Sequence, residues 1–203
     1  MIFSRYGLDF QRLESGHLEM VRGWRNADWV RAHMQYRHII TPEAQLAWFS
    51  ALHPRRSWYF VVHREANPFA LVQVKDIDWR QKKGEAGAFA GSPGYLGHPQ
   101  AALAILGLMD FAFFILGLQG LEAKYHPDFK EIAMLNRQLG YEPFAGEADG
   151  FIRASVSAGR YLQHAGKLRR AGETVYGRQT RLAGGDQWLE RKAAKSRDLP
   201  GQW

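Results

Sequence analysis

The sequence predicts an α/β (α+β) fold, a sheet flanked by helices with a cleft at one sheet edge. Three observations predict it. Residues 120–144, GLEAKYHPDFKEIAMLNRQLGYEPF, read as strand, turn, short helix and terminal glycine. A long apolar helix over 99–116 precedes them. Before that, three runs over 58–90 alternate with Asn-Pro and Lys-Gly breaks, the punctuation of strands and turns.

From the N-terminus, Phe10–Leu13 forms a short strand. A helix over Leu18–Met34 follows, with Leu18, Val21, Trp24 and Ala27 on its apolar face. Thr41-Pro42-Glu43 opens a second helix: Thr41 can cap it, proline suits the first position, and an acid belongs in the first turn. Leu46, Phe49 and Ala51 or Leu52 of that helix should face the core. Trp58–His63 is aromatic and β-branched, a strong strand, and Phe69–Trp79 and Glu85–Ala90 are the next two. Residues 91–99, with three Gly and two Pro, are a loop. Pro99–Leu116 is apolar over most of its surface and so packed on several sides. Leu121–Tyr125 is a strand, Lys130–Leu139 a helix ended by Gly140, and Phe151–Ser157 a strand. Gly159–Ala171 is a basic amphipathic helix with Tyr161, Leu162, Ala165 and Leu168 inward.

Composition bounds the function. The 203 residues contain no cysteine, which excludes disulfides, a thiolate nucleophile and thiolate metal sites and fits a cytoplasmic protein. No basic segment leads into an apolar signal core, and the apolar runs are interrupted. The net charge of +7 resides in residues 153–203, with 11 basic and 4 acidic groups, whereas residues 1–152 hold 16 of each. Such a basic segment attracts nucleotide phosphates or an acidic carrier protein, or it is simply a solvated tail. A nucleic-acid partner is not expected, since no zinc-finger spacing or RNA-binding aromatic motif is present. Residues 1–172 are expected to form the main domain and 173–203 a basic extension, helical or loose; the expected assembly is a monomer or homodimer. His33 and His38 have no metal-ligand spacing with acidic partners, so no metal is implied.

Three patches resemble one family. They are WRNADWVRAHMQYRHIITPEAQLAWFSAL at 24–52, AFAGSPGYLG at 88–97 and AFFILGLQGLEAKYHPDFKEIAMLNRQLGY at 112–141. Together they resemble the GCN5-related N-acetyltransferases (GNAT), in the branch of ribosomal-protein alanine and nucleotide-amino-sugar acetyltransferases. The resemblance covers roughly residues 8–160 and implies a mixed, mostly antiparallel twisted sheet, with acetyl-CoA as cosubstrate. Where the family carries a Q/R-x-x-G-x-G/A loop that cradles the pyrophosphate, this chain has Leu96-Gly97-His98-Pro99-Gln100-Ala101. Pro99 has no N–H to donate, yet it starts a helix well, and the following N–H groups, with Ala102 in the same turn, remain where an anion is favoured. Phe129 and Asn136 stand where the family often has Asn and Tyr.

The resemblance implies the site. Ala88, Phe89 and Ala90 would present a strand edge to pantetheine, or would simply pack closely; Gly97, His98, Gln100, Ala101 and Ala102 would face the donor's phosphates. Glu85 is the first candidate for general base, or an ordinary surface acid beside Lys83. His126 and His98 are alternative proton carriers, and Asn136 could orient an oxygen. Tyr125 or Tyr141 could substitute for the missing acid, with Tyr141 more naturally a core residue. Arg25 could grip a diphosphate and Asn26 a sugar; Tyr36, Arg37 and Trp79 would complete an acceptor rim on which a base stacks, whereas Trp24 and Trp29 read as core.

The function this implies is acetyl transfer from acetyl-CoA to an amine, that of a nucleotide-linked amino sugar. Alternatives are an acyl carrier protein as donor, a protein N-terminus as acceptor, or an inactive binding protein on the same fold.

Overall fold

The computed structural model describes residues 2–95, 97–146, 150–178 and 180–183, with residues 2, 145, 146 and 181–183 by backbone only. The expected extension beyond residue 183 and Leu96 of the loop lie outside the described residues.

The strands are β1 (Ile2–Arg5), β2 (Leu8–Arg12), β3 (Trp58–Arg64), β4 (Asn67–Asp78), β5 (Lys83–Ala90), β6 (Gly120–Tyr125), β7 (Glu142–Gly146), β8 (Ile152–Ser157) and β9 (Arg181–Ala183). They form one sheet in the order β7-β8-β6-β5-β4-β3-β2-β1-β9. β5 and β6 pair in parallel. The other neighbouring pairs among the described strands are antiparallel. This is the mixed, mostly antiparallel sheet the resemblance implied.

The run at β3 is almost wholly apolar because both sheet faces are covered. Trp58, Phe60 and Val62 join the larger core, while Tyr59 and Val61 join a second one on the opposite face. Helices α1 (Leu18–Asn26) and α3 (Pro42–Ser50) lie at the second face, where Leu18, Val21, Trp48 and Phe49 pack, and the single turn α2 (Asp28–Arg31) follows α1. Helices α4 (Pro99–Asp110), α5 (Lys130–Gln138), α6 (Ala158–His164) and α7 (Gly166–Tyr176) supply the larger core.

Several elements depart from the sequence expectation. The first helix is not continuous over 18–34: Ala27 turns extended (ψ 136°), and α2 is a single turn. Asn26 explains the break, because its amide donates to Ile40 O and accepts from Ile40 N, each at 2.8 Å, fastening the helix end to a distant loop. The apolar helix at 99–116 is α-helical only to Asp110; residues Phe111–Ile115 widen into a π-turn. Widening lets neighbouring phenylalanines serve different walls: Phe111 stacks on Phe3 at 5.0 Å, while Phe113 meets Tyr161 at 5.1 Å. Leu46 is 55% exposed rather than core, because α3 turns Gln45, Trp48 and Phe49 inward instead. The basic helix at 159–171 is two helices, and α7 continues past residue 172 to Tyr176. Strands β1, β7 and β9 were not anticipated; β1 and β2 are joined by the two-residue turn Tyr6-Gly7, both at positive φ.

A buried polar cluster fastens α6 and α7 to the sheet. Asp110 accepts from Tyr6 OH and Tyr161 OH, each at 2.6 Å, and from Arg5 Nε at 3.2 Å. Arg169 Nε lies 3.0 Å from the same carboxylate, and Arg5 also reaches Glu173 of α7 at 2.7 Å. Gly172 is required there: an added Cβ would come within 2.6 Å of the Tyr6 ring.

Candidate active site

The parallel pair β5–β6 is short. Its register runs from Lys83↔Gly120 to Ala86↔Ala123 and stops, although β5 continues to Ala90 and β6 to Tyr125. Each strand keeps its outer partner to the end, through Ala90↔Ala70 and Tyr125↔Ile152. The sheet therefore splits between Gly87–Ala90 and Lys124–Tyr125, leaving strand backbone available to an extended ligand with amides.

Two cavities meet at the split. One, of about 190 Å³, lies on the α4 side and is almost entirely apolar, with Ala88, Phe89, Ala90, Ala101, Ala104 and Leu108 in its wall. The other, of about 560 Å³, lies toward α1 and α3 and includes Arg25, Tyr36, Gln73, Lys75 and Glu85. Ala86–Phe89, His33, Met34 and Lys124 line both. Gly87 keeps the floor low, since a Cβ there would meet the Gln73 amide at 2.8 Å.

The mouth of the narrow cavity adjoins the start of α4. Pro99 takes the first helical position and His98 is the cap, its Nδ1 accepting from the Gln100 N–H at 3.3 Å. The Ala101 N–H goes to His98 O at 3.0 Å. Gly97 stands at φ +72°, where glycine is at ease. Gln100 is buried, and with its amide oxygen turned toward Arg64 it accepts from Nε at 3.0 Å. Arg64, at the end of β3, thus stands beside the helix start, a cation that the sequence reading missed because it is far from the loop in the chain.

The sequence candidates separate. Glu85 lies in the wider cavity, ion-paired to Lys75 at 2.9 Å, in register with Glu122 across the parallel pair. Burial works against the Lys75 charge, but hydrogen bonding and attraction from Glu85, with Asp76, outweigh it and raise its pKa. The charge row goes on, since Glu122 pairs with Arg153 at 2.8 Å. His126 and Asn136 both line the narrow cavity, Asn136 buried on α5 and His126 with Nδ1 3.4 Å from Asp128. Tyr125 and Tyr141 line it too, and burial pushes the Tyr141 phenol far up. Ala102 sits in the first turn of α4, outside both linings.

On the acceptor side, Arg25 Nη2 donates to Tyr36 O at 2.9 Å, while its Nη1 is buried with no hydrogen-bond partner. Burial pushes this guanidinium below its ordinary pKa. Asn26 has both amide atoms committed to Ile40, so it shapes the loop instead of facing a sugar. Arg37 donates to Met34 O at 3.1 Å, and Trp79 donates to Arg55 O at 3.1 Å; neither lines either of these two cavities. Trp79 follows Asp78, which pairs with Lys83 at the closed end of the β5–β6 pair, opposite the end where the split opens, so a base bound at the split would not stack on it. Lys75, Gln73, Lys124 and His33 also line the wider cavity, positions that carry no signal in the sequence.

A split parallel pair beside a helix start, with a mostly apolar cavity on one face and a more polar one on the other, defines a sheet with an open edge between two cavities. The acetyltransferase (GNAT) domain family matches residues 8–142, and the chain belongs to that family. It is accordingly an N-acyltransferase with acetyl-CoA as cosubstrate. The structure is similar to spermidine N-acetyltransferase from Vibrio cholerae in complex with CoA and spermine, with TM-score 0.68, 18% identity, and coverage of 77% of this chain and 98% of that one. A dodecameric structure of spermidine N-acetyltransferase from Vibrio cholerae gives TM-score 0.63 at 18% identity, covering 77% and 96%. A domain from Methanocaldococcus jannaschii DSM 2661 gives 0.66 at 12% identity, covering 74% and 97%. At these identities the likeness is one of fold. No curated protein sequence matches the chain. Among the described residues, no helix is long and apolar enough to cross a membrane.

Proposed function

We propose that this chain acetylates the amine of a small anionic molecule, in the class of nucleotide-linked amino sugars. The observation that carries this reading is Arg25: a guanidinium in the wall of the acceptor cavity with one buried nitrogen lacking a partner. A buried donor without an acceptor is costly, and a phosphate or carboxylate oxygen would satisfy it with a charge-assisted bond. The cavity's other cations point the same way, since Arg25, Lys75 and Lys124 face a single carboxylate, Glu85. A polyamine, named for the Vibrio cholerae relatives, would bring positive charge into that lining.

The donor reading rests on the narrow cavity, whose apolar wall suits a pantetheine arm. At its mouth the helix start is already capped by His98 and lacks an N–H at Pro99. We infer that the family's pyrophosphate loop is weakened here and that Arg64 supplies charge in its place. An acyl carrier protein, whose arm has no adenosine diphosphate, would need that charge less and remains the alternative donor.

Incubation with acetyl-CoA and a matched panel tests the acceptor: nucleotide amino sugars, the free amino sugars, spermidine and a peptide N-terminus, with product masses measured. Acetylated nucleotide sugar with little acetylspermidine is the expected result. Preferential acetylation of spermidine, or of the free sugar over its nucleotide form, overturns the anionic-acceptor reading.

A further inference from the structure

Acetyl transfer requires the thioester carbon in the narrow cavity and the amine in the wide one to meet where the cavities join. Residues lining both are the small strand segment Ala86–Phe89, together with His33, Met34 and Lys124. Only His33 and Lys124 among them carry a titratable side chain. A lysine is protonated at neutral pH and cannot accept a proton; an imidazole can. Glu85 lines only the acceptor side and His126 only the donor side.

The imidazole of His33 is held in place. Its Nδ1 is 2.8 Å from Trp29 O. A carbonyl oxygen only accepts, so the proton of the neutral ring sits on Nδ1 and Nε2 carries the lone pair. The ring also packs on Phe129 with centroids 3.9 Å apart, and lies 6.0 Å from the His126 ring. This gives a purpose to Phe129, which stands where the family often has Asn: it is the platform for His33.

We propose that His33 is the general base of the transfer, its Nε2 taking the proton from the acceptor nitrogen at the junction of the two cavities. This inference rests on the acyltransferase reading of the site, but not on the identity of the acceptor. The amine enters as an ammonium ion. His33 Nε2 removes one proton and releases it to solvent. The nitrogen lone pair then forms the N–C bond at the thioester carbonyl. As the tetrahedral intermediate collapses, the C–S bond breaks with its electron pair on sulfur. The second nitrogen proton ends on that sulfur, giving amide, free thiol and one released proton.

The charged and titratable groups lining the two cavities around His33 are Lys124 and His126 of β6 and its exit, Glu85 of β5, Lys75 of β4, Arg25 of α1, Tyr36 on the same segment as His33, and Tyr59, Tyr95, Tyr125 and Tyr141. All of these groups are present in both the wild type and a His33 variant, so the ratio of the two rates reports on the loss of His33.

The variant is His33→Phe, which keeps a ring on Phe129. kcat is measured at saturating acetyl-CoA from about pH 6 to about pH 10, alongside the KM for acetyl-CoA. The acceptor is the best one in the panel or, if none reacts, a simple primary alkylamine at high concentration. A failed panel thus counts against the anionic acceptor and leaves this test standing. Expected are a kcat about 100-fold below wild type near neutrality, an unchanged KM, and a gap that narrows at high pH, where the amine deprotonates without help. A structural role would give a gap independent of pH, and that result overturns the proposal, as does a kcat within about twofold of wild type. Nitrogen-15 NMR of the resting protein reads the tautomer without any turnover. A protonated Nδ1 and bare Nε2 at His33 are expected; a proton on Nε2 overturns the assignment.

Discussion

Arg25 and Arg64 sit at opposite ends of the proposed reaction path, and each can be removed separately. Arg25→Ala deletes the buried guanidinium of the acceptor cavity. A charge-assisted bond of about 1.5–3 kcal/mol corresponds to a roughly 10–100-fold higher acceptor KM, with the acetyl-CoA KM unchanged. Steady-state kinetics with each substrate varied in turn checks this, and a change confined to the donor would contradict it. Arg64→Ala should do the reverse, raising the acetyl-CoA KM about tenfold while leaving acetyl-pantetheine, which lacks the diphosphate, unaffected. Equal effects on both donors would place Arg64 outside the phosphate site. Both arginines differ from Asn26, whose side chain is consumed in holding Ile40.

Helix α7 illustrates how an element far from the split supports the sheet that makes it. It reaches back to β1 through Glu173, which binds Arg5 at 2.7 Å, and Arg5 also donates to the backbone oxygen of Arg178. Glu173→Ala leaves Arg5, nearly fully buried, with part of its charge uncompensated. Loss of one partner of a buried pair costs on the order of 3 kcal/mol. For a chain of this size that lowers Tm by roughly 10 °C, measurable by calorimetry. A shift under about 2 °C would show that Asp110 alone suffices for Arg5. The apolar pattern at 99–116 announced a helix packed on several sides, and it is packed so; the π-turn at its end was not legible. Nothing local distinguishes Phe111–Ile115 from more α-helix, and the widening answers to Phe3 and Tyr161, which lie far away in sequence. The break after Asn26 has the same character, for its cause is a hydrogen-bonded pair with a residue 14 positions on.

At the scale of the whole molecule, four buried tyrosines make stability depend on alkaline pH. Burial is the first cause raising Tyr6, Tyr59, Tyr141 and Tyr161, with Tyr59 pushed up to about 12 and the other three higher. In the unfolded chain these phenols ionise near 10.0. Above that pH the folded state holds more protons than the unfolded one, so stability falls as pH rises. The contribution is intact below about pH 10 and lost progressively above it. Melting curves between about pH 9 and about pH 12 should show a steep fall in Tm; a flat curve would mean these phenols are exposed to solvent in the folded protein.

The sequence by itself determined the strand and helix order from 58 to 139, the strong strand at β3, and the resemblance to the acetyltransferase (GNAT) family that the match over 8–142 bears out, without its branch. These follow from local periodicity, turn chemistry and short motifs, which neighbouring residues fix among themselves. Only the tertiary structure decided which side chains share the split in the sheet. It set His33, Gly87 and Lys124 around one opening, drew Arg64 to the start of α4 and tied Asn26 away from the cavity. The reason is that strand register and helix rotation answer to the packing of the whole core; a shift of one residue turns a strand's side chains to the opposite face and a helix's by about 100°.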